Sequence, residues 1–241
     1  MTRTILVTGA SSGIGAATAR LFLEAGWTVG LMARREGALR EVAGDHPAAH
    51  VLPGDVSVPE DVDAVVDRFV ATAGRLDVLF NNAGIFIPVA HIDETSVEDW
   101  SRAVSINLTG MFLMARAAYR VMRAQGGGRI VNNGSISAHV PREGAVTYTV
   151  TKHAITGLTR QLALDGRSLG IACGQIDIGN ARTPLLEELD AAQRAGGGDG
   201  VPMMAVEDAA RAVLHMADLP PDTNVLTMTI MANAMPYVGR G

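Results

Sequence analysis

The amino-acid sequence predicts an α/β fold. We expect a single doubly wound, Rossmann-type domain over residues 1–241, with a parallel sheet of about seven strands and helices on both faces. Short apolar runs without polar alternation are separated by stretches of helical periodicity, which is typical of parallel strands buried on both sides. The 241 residues are 48% hydrophobic and 19% charged, which is enough apolar material for one large core.

Seven short apolar runs are the predicted strands: residues 5–7, 28–33, 51–52, 78–80, 129–133, 171–177 and 224–231. Apolar residues at helical spacing predict helices between them, at 13–25, from 57 through 70, at about 103–124, at 146–168 and at 206–217. Gly26 ends the first helix, and capping boxes at Ser57–Glu60 and Thr95–Glu98 predict two helix starts.

Residues 184–204 interrupt this alternation. The segment contains Gly196, Gly197, Gly198 and Gly200, which are poor residues for the interior of a helix or strand. A surface loop is one interpretation. The other is a mobile lid over the substrate, because long irregular insertions in compact domains are often functional.

Composition excludes several classes of function. The 20 basic and 25 acidic residues give a net charge of −5 without a basic stripe, which argues against nucleic acid as a partner. The single cysteine, Cys173, excludes an internal disulfide and argues against a thiolate metal site. No apolar run reaches the roughly 18 residues of a membrane span, and the N-terminal run is too short for a signal peptide. We therefore expect a cytoplasmic protein with no metal and no membrane partner.

A glycine-rich turn links the first strand to the first helix. Glycines let the backbone approach a pyrophosphate, and the helix N-terminus supplies free N–H groups. The candidate contacts are Gly9, Ser11, Ser12, Gly13, Ile14 and Gly15. A purely structural turn is the alternative, which the position between strand and helix disfavours.

The end of the second strand indicates which dinucleotide binds. An acidic residue there would bind the ribose 2′-hydroxyl, whereas arginine suits a 2′-phosphate. The chain has Arg34 and Arg35 and no acidic residue at this point, so we expect NADP(H) rather than NAD(H). The alternative is that both arginines belong to an ordinary solvated turn.

Tyr148 and Lys152 lie four residues apart at the start of a predicted helix, which places them on one face. A nearby ammonium favours a phenolate, and a tyrosine in that setting can act as acid or base near neutral pH. Ser135 ends the fifth strand thirteen residues earlier, where strand ends and helix starts line one crevice.

Together these motifs resemble the short-chain dehydrogenase/reductase family over residues 3 to about 183. The motifs that carry the resemblance are Thr8-Gly9-x-x-x-Gly13-x-Gly15, Asp55-Val56, Asn81-Asn82-Ala83-Gly84, Asn107, Ser135 and Tyr148-x-x-x-Lys152, in the family's order and spacing.

The resemblance implies four catalytic residues. Tyr148 would exchange a proton with the substrate oxygen, and Lys152 would favour its phenolate and hold the nicotinamide ribose. Ser135 would hydrogen-bond the substrate oxygen. Asn107 would position a water that connects Lys152 to solvent, although an asparagine on an apolar helix is also compatible with a buried structural role.

The resemblance also implies cofactor contacts beyond the glycine turn. Asp55 would accept from the adenine amino group and Val56 would donate through its backbone, while Asn82, Ala83 and Gly84 would pass beside the ribose. Simple turn-forming roles for Asp55 and for residues 81–84 are the alternatives.

Two regions depart from the family pattern. After the sixth strand the family has Pro-Gly, whereas this chain has Ile178 before glycine; Ile178 and Thr183 remain candidate contacts to the nicotinamide. The tail Met235–Gly241 replaces a glycine-rich ending, and its role is open. The family is typically dimeric or tetrameric, so we expect a homo-oligomer, with the Ala154, Leu158 and Leu162 face of one long helix compatible with such packing or with core burial.

The segments that follow the strands predict an apolar substrate pocket. The apolar candidates are Ile85, Phe86, Ile87, Val89, Val140, Met203 and Met204. The polar candidates are His91, His139, Arg142 and Arg182, which either bind a substrate anion or lie on a solvated rim.

We therefore expect an NADP(H)-dependent oxidoreductase that interconverts a carbonyl and a secondary alcohol on a small or medium, partly apolar substrate. An epimerase or dehydratase reaction on the same scaffold, or a non-enzymatic dinucleotide sensor, are the alternatives. The presence of all four catalytic candidates disfavours the sensor.

Overall fold

A computed structural model describes residues 2–238, so Gly239–Gly241 of the tail lie outside the described residues. It contains one seven-stranded sheet in the order β3-β2-β1-β4-β5-β6-β7, and every neighbouring pair is parallel. The strands are β1 Thr4–Thr8, β2 Thr28–Ala33, β3 Ala49–Pro53, β4 Val78–Asn81, β5 Gly128–Asn133, β6 Ile171–Ile178 and β7 Thr227–Ile230.

The helices cover both faces of this sheet. They are α1 Gly13–Glu24, α2 Glu36–Ala43, α3 Pro59–Ala73, α4 Val97–Val104, α5 Met111–Gln125, α6 Val146–Gly166, α7 Pro184–Ala195 and α8 Val206–Asp218. Residues of α1, α2 and α8 bury one face of the sheet, and residues of α3 and α5 bury the other. The predicted doubly wound α/β architecture is confirmed.

The strand order reverses between β1 and β4. In an open parallel sheet, ligands bind outside the carboxyl ends of the strands at such a switch point. The segments that follow β1, β4 and β5 all leave the sheet at this edge. The fold therefore brings the three polar motifs of the sequence to one crevice.

Some predicted elements differ in detail. α2 was not predicted, and its short apolar face consists of Leu39, Val42 and Ala43. The helix expected from residue 103 begins at Val97 and continues through a π-helical segment, Ser105–Gly110, into α5.

Both predicted capping boxes were wrong in register or in kind. Ser57 does not cap α3, because its hydroxyl donates to Asp55 Oδ1 at 2.7 Å. The cap of α4 is Ser96 rather than Thr95, and Ser96 Oγ accepts from the N–H of Asp99. Short polar residues near a helix start can hydrogen-bond either to a neighbouring side chain, as Ser57 does, or to a backbone N–H, as Ser96 does, so local geometry decides which residue is the cap.

The segment 184–204 is more regular than the sequence indicated. Its first part is α7, and its end returns to the body of the protein where Met204 N–H donates to Asn180 O at 2.9 Å. Asp190 accepts from the N–H of Val201 at 2.6 Å and from Arg194, which folds the glycine-rich turn back onto α7.

Candidate active site

The turn between β1 and α1 presents a set of free backbone donors. Gly9 and Gly13 have left-handed φ values of +67° and +53°, which favour glycine. No side chain caps α1, and the first N–H of the helix to bond back is that of Ala16, to Ser12 O. Within residues 2–238, the N–H groups of Gly13, Ile14 and Gly15 therefore have no acceptor, and they lie at the positive end of the helix dipole. This is a fitting cradle for a pyrophosphate.

The glycine at position 15 is required by a close approach. A Cβ there would overlap the carbonyl oxygen of Gly9 and the side-chain amide of Asn82. Asn82 Nδ2 donates to Thr8 O at 2.9 Å, and Thr8 Oγ1 accepts from the N–H groups of Asn82 and Ala83 at 2.8 and 2.9 Å. These hydrogen bonds fasten the end of β4 to the glycine-rich turn between β1 and α1.

An open cleft of about 730 Å³ extends from this turn across the ends of β2, β3 and β4. It brings together every predicted cofactor residue except Ile178 and the two that are also catalytic candidates, Tyr148 and Lys152. Those lining it are Gly9, Ser11, Ser12, Gly13, Ile14, Gly15, Arg34, Arg35, Asp55, Val56, Asn82, Ala83, Gly84 and Thr183.

Two arginines, Arg34 and Arg35, and two carboxylates, Asp55 and Glu41, also line the cleft. Arg34 Nη1 is 4.0 Å from Asp55 Oδ2, and Arg35 Nη2 is 3.5 Å from Ser11 Oγ. Burial opposes ionisation of Asp55, but hydrogen bonds from the Ser57 hydroxyl and N–H and the Arg34 charge hold its pKa below the ordinary value. Asp55 therefore remains charged at neutral pH and accepts hydrogen bonds.

A second cavity of about 290 Å³ adjoins the cleft and contains Tyr148, Lys152 and Ser135. Ile178 lines this cavity, and Thr183 lines both spaces. The Tyr148 ring packs edge-on against Phe86 at 5.4 Å between centroids. Lys152 Nζ lies 5.5 Å from the centre of the Tyr148 ring and donates to Asn133 O at 2.7 Å. The structure thus brings a phenol, an ammonium and a serine to the wall of one small chamber.

Asn107 lies in the π-helical segment and is buried. Its side-chain amide makes two hydrogen bonds to the Ile85 backbone: Oδ1 accepts from the Ile85 N–H at 2.7 Å, and Nδ2 donates to Ile85 O at 2.9 Å. π-Helical turns are frequent at functional sites. Asn107 fixes the segment after β4 along the cavity, and its expected contact with a water remains a prediction.

Asp177 is a buried carboxylate that the sequence analysis did not single out. It is inaccessible to solvent, and Oδ1 accepts from the N–H of Ser135 at 3.0 Å and from Gln175 Nε2 at 2.6 Å. Its Oδ2 lies 2.7 Å from His139 Nε2. Ser135 and His139 flank a short 3₁₀ turn, Ile136–Ala138, so one carboxylate fastens both ends of the turn that carries Ser135.

Gly134 makes this arrangement possible, because a Cβ there would overlap Asp177 Oδ1. Ser135 Oγ accepts from the N–H of Ser137 at 3.1 Å, which leaves its hydroxyl hydrogen free to donate. An acidic residue near the end of a strand rich in apolar residues was the sequence signal that could have identified Asp177.

The predicted pocket residues divide between several surfaces. Ile85, Phe86 and Arg142 line the small cavity, whereas Val140 lines a neighbouring one of about 620 Å³ that Arg142 also borders. The others do not line the small cavity. Ile87 is buried, Val89, His91 and Arg182 are exposed, Met203 and Met204 line a depression beside β7, and His139 contacts Asp177.

Within residues 2–238, no helix has the length and apolar character needed to cross a bilayer. No group of three or more histidine, cysteine or acidic side chains is placed to hold a metal ion in that range.

The chain is similar in sequence to known proteins. Residues 3–194 match the family model described as short chain dehydrogenase. The cis-4-hydroxycyclohexanecarboxylate dehydrogenase of Sinomonas cyclohexanicum is 41% identical over 199 residues, which cover 80% of this chain and 79% of the relative. The cyclohexanol dehydrogenase of Acinetobacter sp. (strain SE19) is 35% identical over 192 residues, which cover 78% of this chain and 76% of the relative.

Solved structures agree in fold over nearly the whole chain. The closed form of serine dehydrogenase complexed with NADP⁺ has a TM-score of 0.90 at 26% identity, with 99% of this chain and 98% of that chain covered. The 3-ketoacyl-(acyl-carrier-protein) reductase from Brucella melitensis complexed with NADH has a TM-score of 0.86 at 26% identity, with 96% and 97% covered.

Proposed function

This chain belongs to the short-chain dehydrogenase/reductase family, and from that premise we propose that it is an NADP(H)-dependent enzyme that interconverts a secondary alcohol and a ketone on a small or medium, partly apolar ring. The observation that carries the proposal is the meeting of Tyr148, Lys152 and Ser135 in a cavity that adjoins the phosphate cleft. When bound, the nicotinamide accepts a hydride from the carbinol carbon or returns one to the carbonyl carbon.

The cofactor assignment is supported by the fit of the cleft. Free N–H groups at α1 and the absence of a side chain at Gly15 suit a pyrophosphate, and Asp55 and Val56 border the cleft at its far end. Solved relatives contain NADH or NADP⁺, which supports a nicotinamide dinucleotide without distinguishing the two.

Arg34 and Arg35 support the preference for NADP(H). Both border the cleft, and each can turn its guanidinium toward a 2′-phosphate. Titration of nicotinamide fluorescence with NADPH and with NADH tests this directly. We expect the wild type to bind NADPH more tightly than NADH. Arg34→Ser or Arg35→Ser should lower the affinity for NADPH by about 10- to 100-fold and leave the affinity for NADH unchanged, since one charged hydrogen bond contributes roughly 1.5–3 kcal/mol. Tighter NADH binding by the wild type would refute the preference.

The proton chemistry belongs to the protein. In the oxidative direction the Tyr148 phenolate, which the Lys152 ammonium stabilises, accepts the hydroxyl proton and becomes a neutral phenol. Ser135 donates to the substrate oxygen while charge develops there. Asn107 holds the Ile85 backbone at the cavity wall.

Two of the relatives are named for substrates of the same chemical type. Cis-4-hydroxycyclohexanecarboxylate and cyclohexanol both carry a hydroxyl on a six-membered ring. The apolar wall of the small cavity, which includes Ile85, Phe86 and Leu186, suits such a ring. We therefore assign a cyclic secondary alcohol as the substrate class.

The α7 segment belongs to the proposal as a lid over the substrate. α7 has no buried residue, and its Leu185, Leu186 and Leu189 line the small cavity. A helix held mainly at its two ends, with leucines facing a cavity, is suited to closing on an apolar substrate. We also propose a homo-oligomer, supported by exposed Phe112 and Trp100 on the helices flanking the π-helical segment.

Tyr148→Phe is the decisive variant, with Tyr119→Phe on α5 as a matched control. We expect Tyr148→Phe to abolish cyclohexanol oxidation while NADPH binding stays within a few-fold of wild type, and Tyr119→Phe to retain full activity. Turnover by Tyr148→Phe close to wild type would refute the assignment. Stoichiometric consumption of the dinucleotide separates net oxidation from epimerisation, which consumes none.

A further inference from the structure

The small cavity has an uneven distribution of charge. Apolar side chains form much of its wall, and its polar lining includes Tyr148 and Ser135. Within residues 2–238, no aspartate or glutamate lines the cavity, whereas two cations, Lys152 and Arg142, do. Lys152 is buried and donates to a backbone carbonyl, so Arg142 is the cation available to a ligand.

Arg142 is held at the border of two spaces. It lines both the small cavity and the neighbouring cavity of about 620 Å³. Its Nη2 donates to Asn180 Oδ1 at 3.2 Å, and Asn180 Nδ2 in turn donates to Pro202 O at 3.2 Å. The guanidinium is therefore tethered through a neutral amide that leaves its charge uncompensated.

None of the ion pairs in the part of the chain that the structure describes involves Arg142, although Glu143, its neighbour in sequence, also lines the cavity of about 620 Å³. A guanidinium has five N–H donors in a planar fork, and the contact with Asn180 uses one of them. The remaining donors match the two oxygens of a carboxylate.

We propose that Arg142 binds a carboxylate on the substrate, so that the enzyme acts on a cyclic hydroxy acid. This inference rests on the proposed function and narrows its substrate class. The ring lies against Ile85, Phe86 and the α7 leucines, the hydroxyl faces Tyr148 and Ser135, and the carboxylate meets Arg142 at the cavity border. A volume of about 290 Å³ is at the small end of ligand pockets, which run from roughly 300 to 1,000 Å³, and suits a single ring.

The oxidation balances without further reactants. The carbinol C–H bond breaks and its electron pair leaves with the hydride to the oxidised dinucleotide, the O–H proton goes to Tyr148, and the C–O bond becomes the ketone. The carboxylate on Arg142 is unchanged throughout. Its contribution is to fix which ring carbon faces the hydride acceptor.

A matched pair of substrates tests the inference. One is a cyclohexanol with a carboxylate across the ring from the hydroxyl, and the other is its methyl ester, which has a similar shape and no charge. Initial rates with each, at saturating dinucleotide, give two values of kcat/KM. We compare the wild type with Arg142→Gln, Arg142→Lys and the control Arg182→Gln, since Arg182 is exposed and lies outside the small cavity.

We expect the preference for the carboxylate substrate over its methyl ester to depend on the Arg142 guanidinium. The wild type should favour the carboxylate over the ester by about 10- to 100-fold, Arg142→Gln should lose that preference, and Arg142→Lys should keep part of it. Arg182→Gln should behave as wild type. A wild-type preference for the ester, or an intact carboxylate preference in Arg142→Gln, would overturn the inference while leaving the proposed function standing. No oxidation of either ring by the wild type would overturn the proposed function and this inference with it.

Discussion

Removal of the Asp177 carboxylate tests how Ser135, a proposed catalytic residue, is held in position. Asp177→Ala removes the acceptor of two buried donors, the N–H of Ser135 and one of the two N–H groups of Gln175 Nε2, whose other bond, to Thr156 Oγ1, remains. Each unsatisfied donor costs roughly 1–3 kcal/mol. Relief of the carboxylate's own desolvation offsets part of this cost, so we expect the free energy of unfolding to fall by about 2–4 kcal/mol.

The catalytic effect should exceed what destabilisation alone explains. The 3₁₀ turn that carries Ser135 loses its anchor at both ends, and a displacement of about 1 Å at a reacting group can cost about 10²-fold in rate. We expect kcat for a cyclic alcohol to fall by about that factor in the folded variant. Asp177→Asn, which keeps one oxygen for the Ser135 N–H, should retain much more of kcat.

Two controls separate positioning from stability. Arg129→Met removes a buried side chain at the opposite end of β5, where it donates to the carbonyls of Leu219, Pro220 and Thr223, and should destabilise the fold without lowering kcat. In a double-mutant cycle, Asp177→Ala should add little to the loss caused by Ser135→Ala. Denaturant unfolding and saturation kinetics supply both measurements. Full additivity in the cycle, or an unchanged kcat in Asp177→Ala, would refute the positioning role.

Three further predictions concern other parts of the molecule. Gly15→Ala should weaken dinucleotide binding strongly in a fluorescence titration, because its Cβ meets Gly9 O, whereas Gly157→Ala on an open face of α6 should bind as wild type. The pKa of Asp55 is lower in the folded protein, so its carboxylate contributes stability that is present above the unfolded pKa of about 3.9 and is lost as the pH falls through the folded pKa. The melting temperature of the wild type should therefore fall more between pH 5 and 3 than that of Asp55→Asn. An equal fall in both proteins would contradict this. Burial raises the pKa of Cys173 to about 12, so a thiol reagent at pH 8 should label it only after unfolding, and rapid labelling of the native protein would be inconsistent with its buried position.

The parallel sheet was predictable because every central strand is buried on both faces and therefore reads as an uninterrupted apolar run. The hydrophobic pattern of each strand was therefore sufficient to predict the parallel sheet. α2 escaped prediction because it is short, and only Leu39, Val42 and Ala43 reach the core. α7 escaped because none of its residues is buried, so no apolar periodicity toward a core distinguishes it from a loop.

The candidate site shows the same division. Gly9, Gly13 and Gly15 could be identified because backbone geometry demands glycine where phosphate approaches. The neighbourhood of Tyr148, Lys152 and Ser135 followed from strand and helix order. The Asp177 clamp did not, because its partners Ser135 and His139 lie about 40 residues away in sequence and meet it only through the pairing of β5 with β6.

We propose that a dinucleotide held on the glycine-rich turn oxidises a ring alcohol while Tyr148 accepts the hydroxyl proton. The most direct measurement follows the near-ultraviolet absorbance of reduced nicotinamide after cyclohexanol is added to the protein with NADP⁺, for the wild type and Tyr148→Phe in parallel. We expect a steady rise in absorbance for the wild type and none for the variant, with equal NADPH binding by both. Equal rates in the two proteins, or no rise in either with NADP⁺ or NAD⁺, would contradict this proposal.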